Sequence, residues 1–434
     1  MTTPVRVRRA SFLVNAFSLM LTTIVTAAAG LVFWAIAGRL LPVSAVGDAS
    51  AEISTALLLS KVSQLSLGTI LPRFLPVAGP RSRRLVALGY AATAALSVVV
   101  ASGFVAVGWG SGFLHGGAEI ATFILAVPIL TVFALQDAAL TALRESFWVM
   151  VENAATAGLR LAAVPLLCAT AATDPLVLAY LLPALAAVLA VNAVLFWRIL
   201  PAHERASGGT HELPARRPAA GFVVAEYANS LIESAGSLLL PLVVLSVLGS
   251  TQSAYFYLPW LVGTTAMGVL FSVALSFGVH AAADPAALRG LLLRTLRILA
   301  VLSIGGAAAG IVLAPFLLRL VGPEYADNGT TLFRLIMLGI PFVTIEVVYS
   351  TFVWLERRVW LLVVIQLVTT GALLGLTAVL IEPWGINGVG VAFLSTTIAS
   401  GLACLPPTAI RVRRILDGRG LRAPAGSPVA AEVR

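Results

Sequence analysis

Acidic and amide side chains recur at helical spacing inside apolar segments of this chain. Glu226, Asn229 and Glu233 fall at i, i+3 and i+7 of one such segment, together with Ser230 and Ser237. Residues with this spacing share one face of a helix, so they form a single polar stripe. A carboxyl group on such a stripe can bind a proton or a cation, which makes Glu233 and Glu226 candidate ion-coupling residues. Glu226 lies near one end of its segment, where water alone could solvate it.

Two basic residues, Lys61 and Arg160, lie well inside apolar segments. A charge at this depth costs about 2.5–3.5 kcal/mol on insertion scales, so it normally faces a cavity or a partner. We interpret both as candidate binding groups for an anion. The alternative for Lys61 is an ion pair with a carboxylate such as Glu52.

Amide side chains accompany these charges on the same predicted faces. Asn15 begins a stripe in the first apolar segment, Gln64 lies one turn after Lys61, and Asn229 belongs to the acidic stripe. We expect them to line a water-filled cleft and to bind a polar substrate. The alternative is that these polar residues bond only across packed helices.

The elements that carry these residues are apolar segments of membrane-spanning length. A spanning helix needs about 20 mostly apolar residues, and only helices or closed barrels satisfy their backbone in lipid. The sequence predicts an all-α integral membrane protein with about 12 transmembrane helices. The predicted spans are 12–38, 46–70, 85–108, 119–143, 147–171, 175–199, 221–248, 253–282, 296–318, 331–355, 359–381 and 386–410.

A polar stretch divides these spans into two sets of six. We predict an N-terminal six-helix lobe at 1–200, a cytoplasmic linker at 201–220, a C-terminal six-helix lobe at 221–411 and a disordered cytoplasmic tail at 412–434. Spans one and two resemble spans seven and eight in pattern, as parallel repeats would.

Most of the 28 basic residues fall in alternate connections between the spans. This positive-inside bias places both termini in the cytoplasm. The net charge of +9 is therefore attributed to orientation and to contact with anionic membrane lipids, and not to nucleic acid.

Several classes of protein are disfavoured by what the sequence lacks. It has no phosphate-binding glycine loop, no metal-ligand cluster and no paired acids in its short external connections. Cys168 and Cys404 lie inside spans and are interpreted as core residues. We therefore expect that this protein has no enzymatic activity and binds no metal and no cofactor.

Short motifs distributed over nearly the whole chain carry a family resemblance. They are Phe33–Leu40 with Ala45–Gly47, Leu71–Pro76, Leu240–Val244, Tyr255–Tyr257, Leu320–Tyr325 and Trp384–Gly390. The chain thereby resembles the polysaccharide-export, O-antigen-type flippases of the multidrug/oligosaccharidyl-lipid/polysaccharide (MOP) exporter superfamily.

The resemblance implies a V-shaped, two-lobed flippase of the bacterial cytoplasmic membrane. It would move a polyprenyl-(pyro)phosphate-linked oligosaccharide by alternating access for cell-surface polysaccharide synthesis, coupled to H⁺ or Na⁺. By this analogy Lys61 and Arg160 would bind the phosphate head group, and Glu233 and Glu226 would couple the ion. A glycan polymerase and glycosyltransferases are the implied protein partners.

Three alternatives remain open. A MATE-like multidrug cation antiporter would have the same scaffold, although interior basic residues argue against a cationic substrate. A membrane glycosyltransferase or polymerase is a more distant reading, because the external loops are short. A non-transporting membrane scaffold for an assembly machine is the third.

Overall fold

The computed structural model describes residues 26, 28–170, 173–207, 216–283, 288–356 and 358–417. These residues form helices and short connections, with no strand in the described part, so the all-α prediction is confirmed. In chain order the helices are α1 (Ala28–Leu40), α2 (Val43–Ser63), α3 (Leu67–Phe74), α4 (Ser82–Ala106), α5 (Gly117–Ala142), α6 (Ser146–Cys168), α7 (Pro175–Val194), α8 (Leu200–Ala206), α9 (Arg216–Ala283), α10 (Leu288–Ala300), α11 (Gly306–Arg319), α12 (Pro323–Leu355) and α13 (Val359–Leu416).

Two long helices contain a break at a glycine. In α9 the break is at Gly249, with φ 81° and ψ 175°, and in α13 it is at Gly385, with φ 57° and ψ −142°. Both residues have a positive φ, which glycine adopts without the steric cost of a Cβ. The breaks fall in the connections predicted between spans seven and eight and between spans eleven and twelve.

Helix starts show the signals that their sequences carry. The Glu119 carboxylate accepts hydrogen bonds from the backbone N–H groups of His115 (2.6 Å) and Gly116 (3.1 Å), which satisfies free donors where α5 begins. Pro175 and Pro323 occupy the first positions of α7 and α12. Proline is favoured there because that position has no intrahelical N–H bond to lose.

Seven helical segments in the described part are long and apolar enough to cross a membrane. They are Gly79–Ala106, Gly117–Ala142, Pro175–Ala206, Ser234–Gly278, Leu288–Arg319, Pro323–Leu355 and Trp360–Leu416. The segments Ser234–Gly278 and Trp360–Leu416 include the two glycine breaks. Helices α2 and α6, which cover predicted spans two and five, are not among the seven.

The helices group into two compact units, Met1–Ala254 and Tyr255–Arg434. The N-terminal unit has one aromatic cluster around Phe104, Phe113 and Phe123 and one aliphatic cluster around Leu135 and Leu195. The C-terminal unit buries large rings along α9, α12 and α13. These rings are Phe256, Trp260, Phe333, Phe352 and Phe393.

The first arm of α9 groups with the N-terminal unit. The predicted lobes at 1–200 and 221–411 stay a sequence-based prediction. Part of the predicted linker, 208–215, and most of the predicted tail, 418–434, lie outside the described residues. Helix α13 continues to Leu416, so the first residues of that tail are helical.

Candidate functional site

The second predicted span is interrupted where its candidate binding residues lie. The sequence predicts one helix over 46–70, but α2 ends at Ser63 and α3 begins at Leu67. Leu65 (φ 48°) and Ser66 (φ 62°) are in the left-handed region, which residues with a Cβ rarely adopt. The prediction of a continuous span was wrong here. No proline or glycine occupies either position, so local sequence gave no signal of the break.

Lys61 lies in the last turn of α2, directly before this interruption. Its side chain is half-buried, and it makes no ion pair or hydrogen bond with a described residue. The alternative pairing with Glu52 is not formed. Lys61 is therefore a cation without a protein counter-ion in the part of the chain that is described.

Glu52 is instead paired with another acid. Its side chain is 2 % exposed and hydrogen-bonds with that of Asp174, the residue that precedes α7. Burial raises the pKa of the Asp174 carboxyl, and the Glu52 hydrogen bond opposes that rise. Two neighbouring carboxyl groups can share a proton, so this pair needs no lysine.

The interruption also meets the beginning of α9. The Tyr227 hydroxyl donates to the carbonyl oxygen of Val62, a group in the last turn of α2. Tyr227 follows Glu226 directly, so the backbone of the predicted acidic stripe reaches the helix end that carries Lys61. Sequence reasoning did not single out Tyr227, because an aromatic residue in an apolar helix gives no distinct signal.

The other candidate residues of these helices are placed as follows. Gln64 is 8 % exposed, and its amide Nε2 donates to Ser60 Oγ of the preceding turn at 3.5 Å. Glu226, Asn229 and Glu233 lie on α9, but their side chains are outside the described part. Asn15 is outside the described residues altogether.

Arg160 of α6 is held by an aromatic residue of α7. Its Nε donates to the backbone carbonyl of Tyr180 at 3.1 Å, and its guanidinium carbon lies 3.6 Å from the centre of the Tyr180 ring. The Phe133 ring lies on the guanidinium at 5.9 Å. The two terminal nitrogens make no hydrogen bond with a described residue. Arg160 therefore presents an oriented pair of N–H₂ donors, the geometry that binds carboxylate or phosphate oxygens. No described contact joins Arg160 to Lys61.

A buried polar network crosses α5, α6 and α7 in the N-terminal unit. Gln136 is fully buried, its Nε2 donates to Glu152 Oε1, and its Oε1 accepts from Asn192 Nδ2 at 2.7 Å. Beside it, Asn153 Nδ2 donates to both oxygens of Asp137, at 3.0 and 3.2 Å. Sequence analysis did not select Gln136 or Asn192. Their signal, single amides within otherwise apolar spans, becomes informative only once the helices are packed.

Two carboxylates of the C-terminal unit have direct partners. Ser400 Oγ donates to Glu346 Oε2 at 2.6 Å. Arg411 donates from Nε and Nη2 to the two oxygens of Glu356, both at 2.8 Å, and lies over the Tyr349 ring. Within the described residues, no group of three or more His, Cys, Asp or Glu side chains is placed to hold a metal ion.

Comparisons with known proteins show which solved structures have a similar fold. No family model and no curated protein matches the sequence. Among solved structures, the inward-facing conformation of a multidrug resistance MATE family transporter of the MOP superfamily aligns over 90 % of this chain and 96 % of that one, with TM-score 0.68 and 13 % identity. The outward-facing conformation of such a transporter aligns over 94 % and 96 %, with TM-score 0.62 and 12 % identity.

A third similar structure is a MOP superfamily transporter from Pyrococcus furiosus, described as having a binding pocket of reverse polarity. It aligns over 94 % of this chain and 96 % of that one, with TM-score 0.60 and 12 % identity. The chain has the MOP-transporter fold. The prediction of a MOP-exporter-like, all-helical membrane fold is therefore confirmed. At 12–13 % identity the likeness concerns the fold, and the polysaccharide-export subfamily stays a prediction.

Proposed function

We propose that this protein is a flippase that moves a polyprenyl-(pyro)phosphate-linked oligosaccharide across the bacterial cytoplasmic membrane. The observation that carries the proposal is Lys61, a cation inside a predicted span that has no partner among the described residues and lies in the last turn before a helix interruption. Such a charge is retained at a cost of about 2.5–3.5 kcal/mol on insertion scales, which an anionic ligand would offset.

The interrupted helix supports a binding role for this region. Discontinuous helices in transporters expose backbone groups at the substrate site, and unwound backbone is tolerated at that depth only where it lines a cavity or is buried in protein. A phosphate group can use Lys61 as a point charge and Arg160 as a two-pronged donor. The two residues thus have the chemistry of a phosphate head-group site.

The other candidate residues would bind the sugar or the coupling ion. Asn15, Gln64 and Asn229 would hydrogen-bond the sugar hydroxyls, and Glu233 and Glu226 would couple transport to H⁺ or Na⁺. Glycosyltransferases and a glycan polymerase would supply and consume the lipid-linked glycan. Both termini would be cytoplasmic.

The first test is the sidedness of the lipid-linked glycan in cells that lack this protein. Sealed right-side-out cells are treated with a membrane-impermeant sugar reagent. We expect the polyprenyl-linked glycan to accumulate and to be shielded from the reagent. A low and fully accessible pool would contradict the flippase proposal.

The second test complements the deletion with charge variants. We expect Lys61→Met and Arg160→Gln each to reduce export about tenfold or more, because a hydrogen bond to a charged group contributes about 1.5–3 kcal/mol. Arg334→Gln is the matched control, since Arg334 Nε also donates to a backbone carbonyl (Ile311, 3.3 Å) but the side chain is exposed. Full export by both Lys61 and Arg160 variants would remove the anion-site assignment.

A multidrug cation antiporter is the second candidate. The observation that favours it is the fold shared with MATE transporters, together with the buried acids Glu52 and Glu152. In that case the deletion would sensitise cells to cationic drugs and leave the glycan pool unchanged. The same deletion strain therefore separates the two functions.

A further inference from the structure

The network around Gln136 has a buried carboxyl oxygen with no partner. Glu152 is 4 % exposed, and Gln136 donates to its Oε1, but its Oε2 has no hydrogen-bond partner among the described residues. Thr156, one turn later on α6, and Tyr90 of α4 also have buried hydroxyl oxygens without a partner there. Buried oxygens of Glu152, Thr156 and Tyr90 thus make no hydrogen bond with a described residue.

No basic residue compensates Glu152 in the described structure. The ionisable groups that act on it are Asp137 of α5 and Tyr90 of α4, and Gln136, Asn153 and Asn192 are neutral amides. The ion pair that the described residues do contain, Arg411–Glu356, belongs to the C-terminal unit. An ionised Glu152 would be an uncompensated charge beside a second acid, which is costly in a low-dielectric interior.

The arrangement favours a proton over a metal cation. The Gln136 amide directs an N–H group at the carboxylate, and such a donor repels a cation at the same position. Hard cations such as Ca²⁺ are held by several oxygen ligands, whereas a proton needs one carboxylate oxygen. Protonation of Oε2 removes the charge and keeps the Gln136 bond to Oε1.

We propose that Glu152 is a proton-binding site whose protonation and release couple this transporter to a proton gradient. In each cycle the carboxylate takes up one proton on Oε2 to become a neutral carboxylic acid and later returns it to water. Asp137, whose two oxygens accept from Asn153, is the second acid of this network, and its negative charge favours the protonated form of Glu152. This inference rests on the proposed transport function, and it adds a coupling residue in the α4–α7 helices to those expected on α9.

Infrared spectroscopy of the purified protein tests proton binding without any transport assay. We expect a protonated-carboxyl C=O component that titrates with pH, disappears in Glu152→Gln and does not respond to Na⁺. Glu346→Gln is the matched control, because Glu346 is another glutamate inside a helix but receives a hydrogen bond from Ser400. The component should persist in that variant.

Absence of a component that Glu152→Gln removes would overturn the proposal, and so would displacement of the proton by Na⁺. Should Glu152→Gln fail to fold, Tyr90→Phe and Thr156→Val serve in its place. Each deletes one oxygen near the carboxyl group and should shift the titration midpoint of the same component. An unchanged midpoint in both would also overturn it.

Reconstituted vesicles test the coupling. With an imposed pH gradient we expect wild-type transport of lipid-linked glycan to rise at least tenfold over that without a gradient, and Glu152→Gln to lose this rise while keeping downhill movement. Equal gradient dependence in both proteins would overturn the coupling role and leave the flippase function standing. If no glycan moves but a cationic dye is exchanged for protons in a Glu152-dependent way, the flippase function fails and the proton site stands.

Discussion

The interior glutamates of the two units differ in how many of their carboxyl oxygens have a partner. In the N-terminal unit, Glu52 and Glu152 are buried, and each has one carboxyl oxygen without a described partner. In the C-terminal unit, Glu346 accepts a hydrogen bond from the Ser400 hydroxyl, and Glu356 accepts one from Nε and one from Nη2 of Arg411. A charge that is fully paired has a structural role, whereas an unpaired one is available to a ligand or a proton.

One helix interruption of the N-terminal unit differs from the glycine breaks. The breaks at Gly249 in the N-terminal unit and at Gly385 in the C-terminal unit use glycine, for which a positive φ has no steric cost. The interruption after α2 instead places Leu65 and Ser66 in the left-handed region, at a cost of about 1–2 kcal/mol per residue. Strain of this kind persists where the surrounding structure holds it, and it concentrates at functional sites. From this comparison we expect the proposed binding and proton sites in the N-terminal unit and mainly structural interactions among the C-terminal acids.

The largest loss of stability is expected at glycines where a Cβ would overlap backbone atoms, and each unit contains one. A Cβ on Gly47 would overlap the backbone carbonyl of Ser250, and one on Gly388 would overlap that of Leu380. Because a backbone cannot move aside like a side chain, we expect alanine at either position to cost about 3 kcal/mol or more. Folded yield and thermal unfolding in detergent measure this.

The controls for this prediction are Gly103→Ala and Gly371→Ala, which would meet no atom within 4 Å. Alanine is the better helix former, so both should unfold at unchanged or slightly higher temperature. A tolerated Gly47→Ala would show that the α2 contact with Ser250 is not required for folding.

Arg411→Leu is expected to have the next largest effect, and it tests the ion pair of the C-terminal unit. It removes the two N–H donors that Arg411 gives to Glu356, whose side chain is 9 % exposed, so we expect a loss of about 3 kcal/mol in the free energy of unfolding. The double variant with Glu356→Gln should recover much of this loss, since the charge that Arg411 compensated is then absent. If Arg411→Leu unfolds like the wild type, the contrast between the units is weaker than the pairing indicates.

Tyr180→Leu tests how the N-terminal cation is oriented. The ring lies 3.6 Å from the Arg160 guanidinium, and a cation–π contact contributes about 0.5–2 kcal/mol. We expect the apparent affinity for lipid-linked glycan to fall up to about tenfold, with folding preserved. Tyr180→Phe keeps the ring and should bind as the wild type does.

The matching change in the other unit is Tyr349→Leu. Its ring lies 5.1 Å from Arg411, which two carboxylate oxygens already hold. Substrate affinity should not change in this variant. A loss of affinity as large as that of Tyr180→Leu would place the Arg411 region in substrate binding.

The smallest effect concerns the strained backbone. Leu65→Gly removes the left-handed penalty, so we expect a gain of about 1 kcal/mol in stability together with a lower transport rate. Gly385→Ala places a Cβ at φ 57° and ψ −142°, a conformation that residues with a Cβ rarely adopt, and should lose at least as much. A Leu65→Gly protein with wild-type transport would show that the strain at the interruption has no role in function.

The sequence by itself determined the class of structure. Its long apolar segments can satisfy their backbone in lipid as helices, and the charges between them predict their orientation. The connections between predicted spans include the breaks at Gly249 and Gly385. The positions of Lys61 and Arg160 inside apolar segments identify them as charges that are costly to bury. These features depend on composition and spacing along one segment.

Only the tertiary structure decided which side chains meet. The hydrogen bond between Arg160 and Tyr180 joins residues 20 positions apart, and the network of Gln136, Glu152 and Asn192 joins residues 16 to 56 positions apart. The interruption at Leu65–Ser66 has no glycine or proline that would mark it in the sequence. The periodicity of one helix states which residues share a face but not which helix that face packs against. That packing decides whether a buried carboxyl group has a hydrogen-bond partner. In this protein it leaves one oxygen of Glu152 without a described partner, whereas both oxygens of Glu356 accept from Arg411.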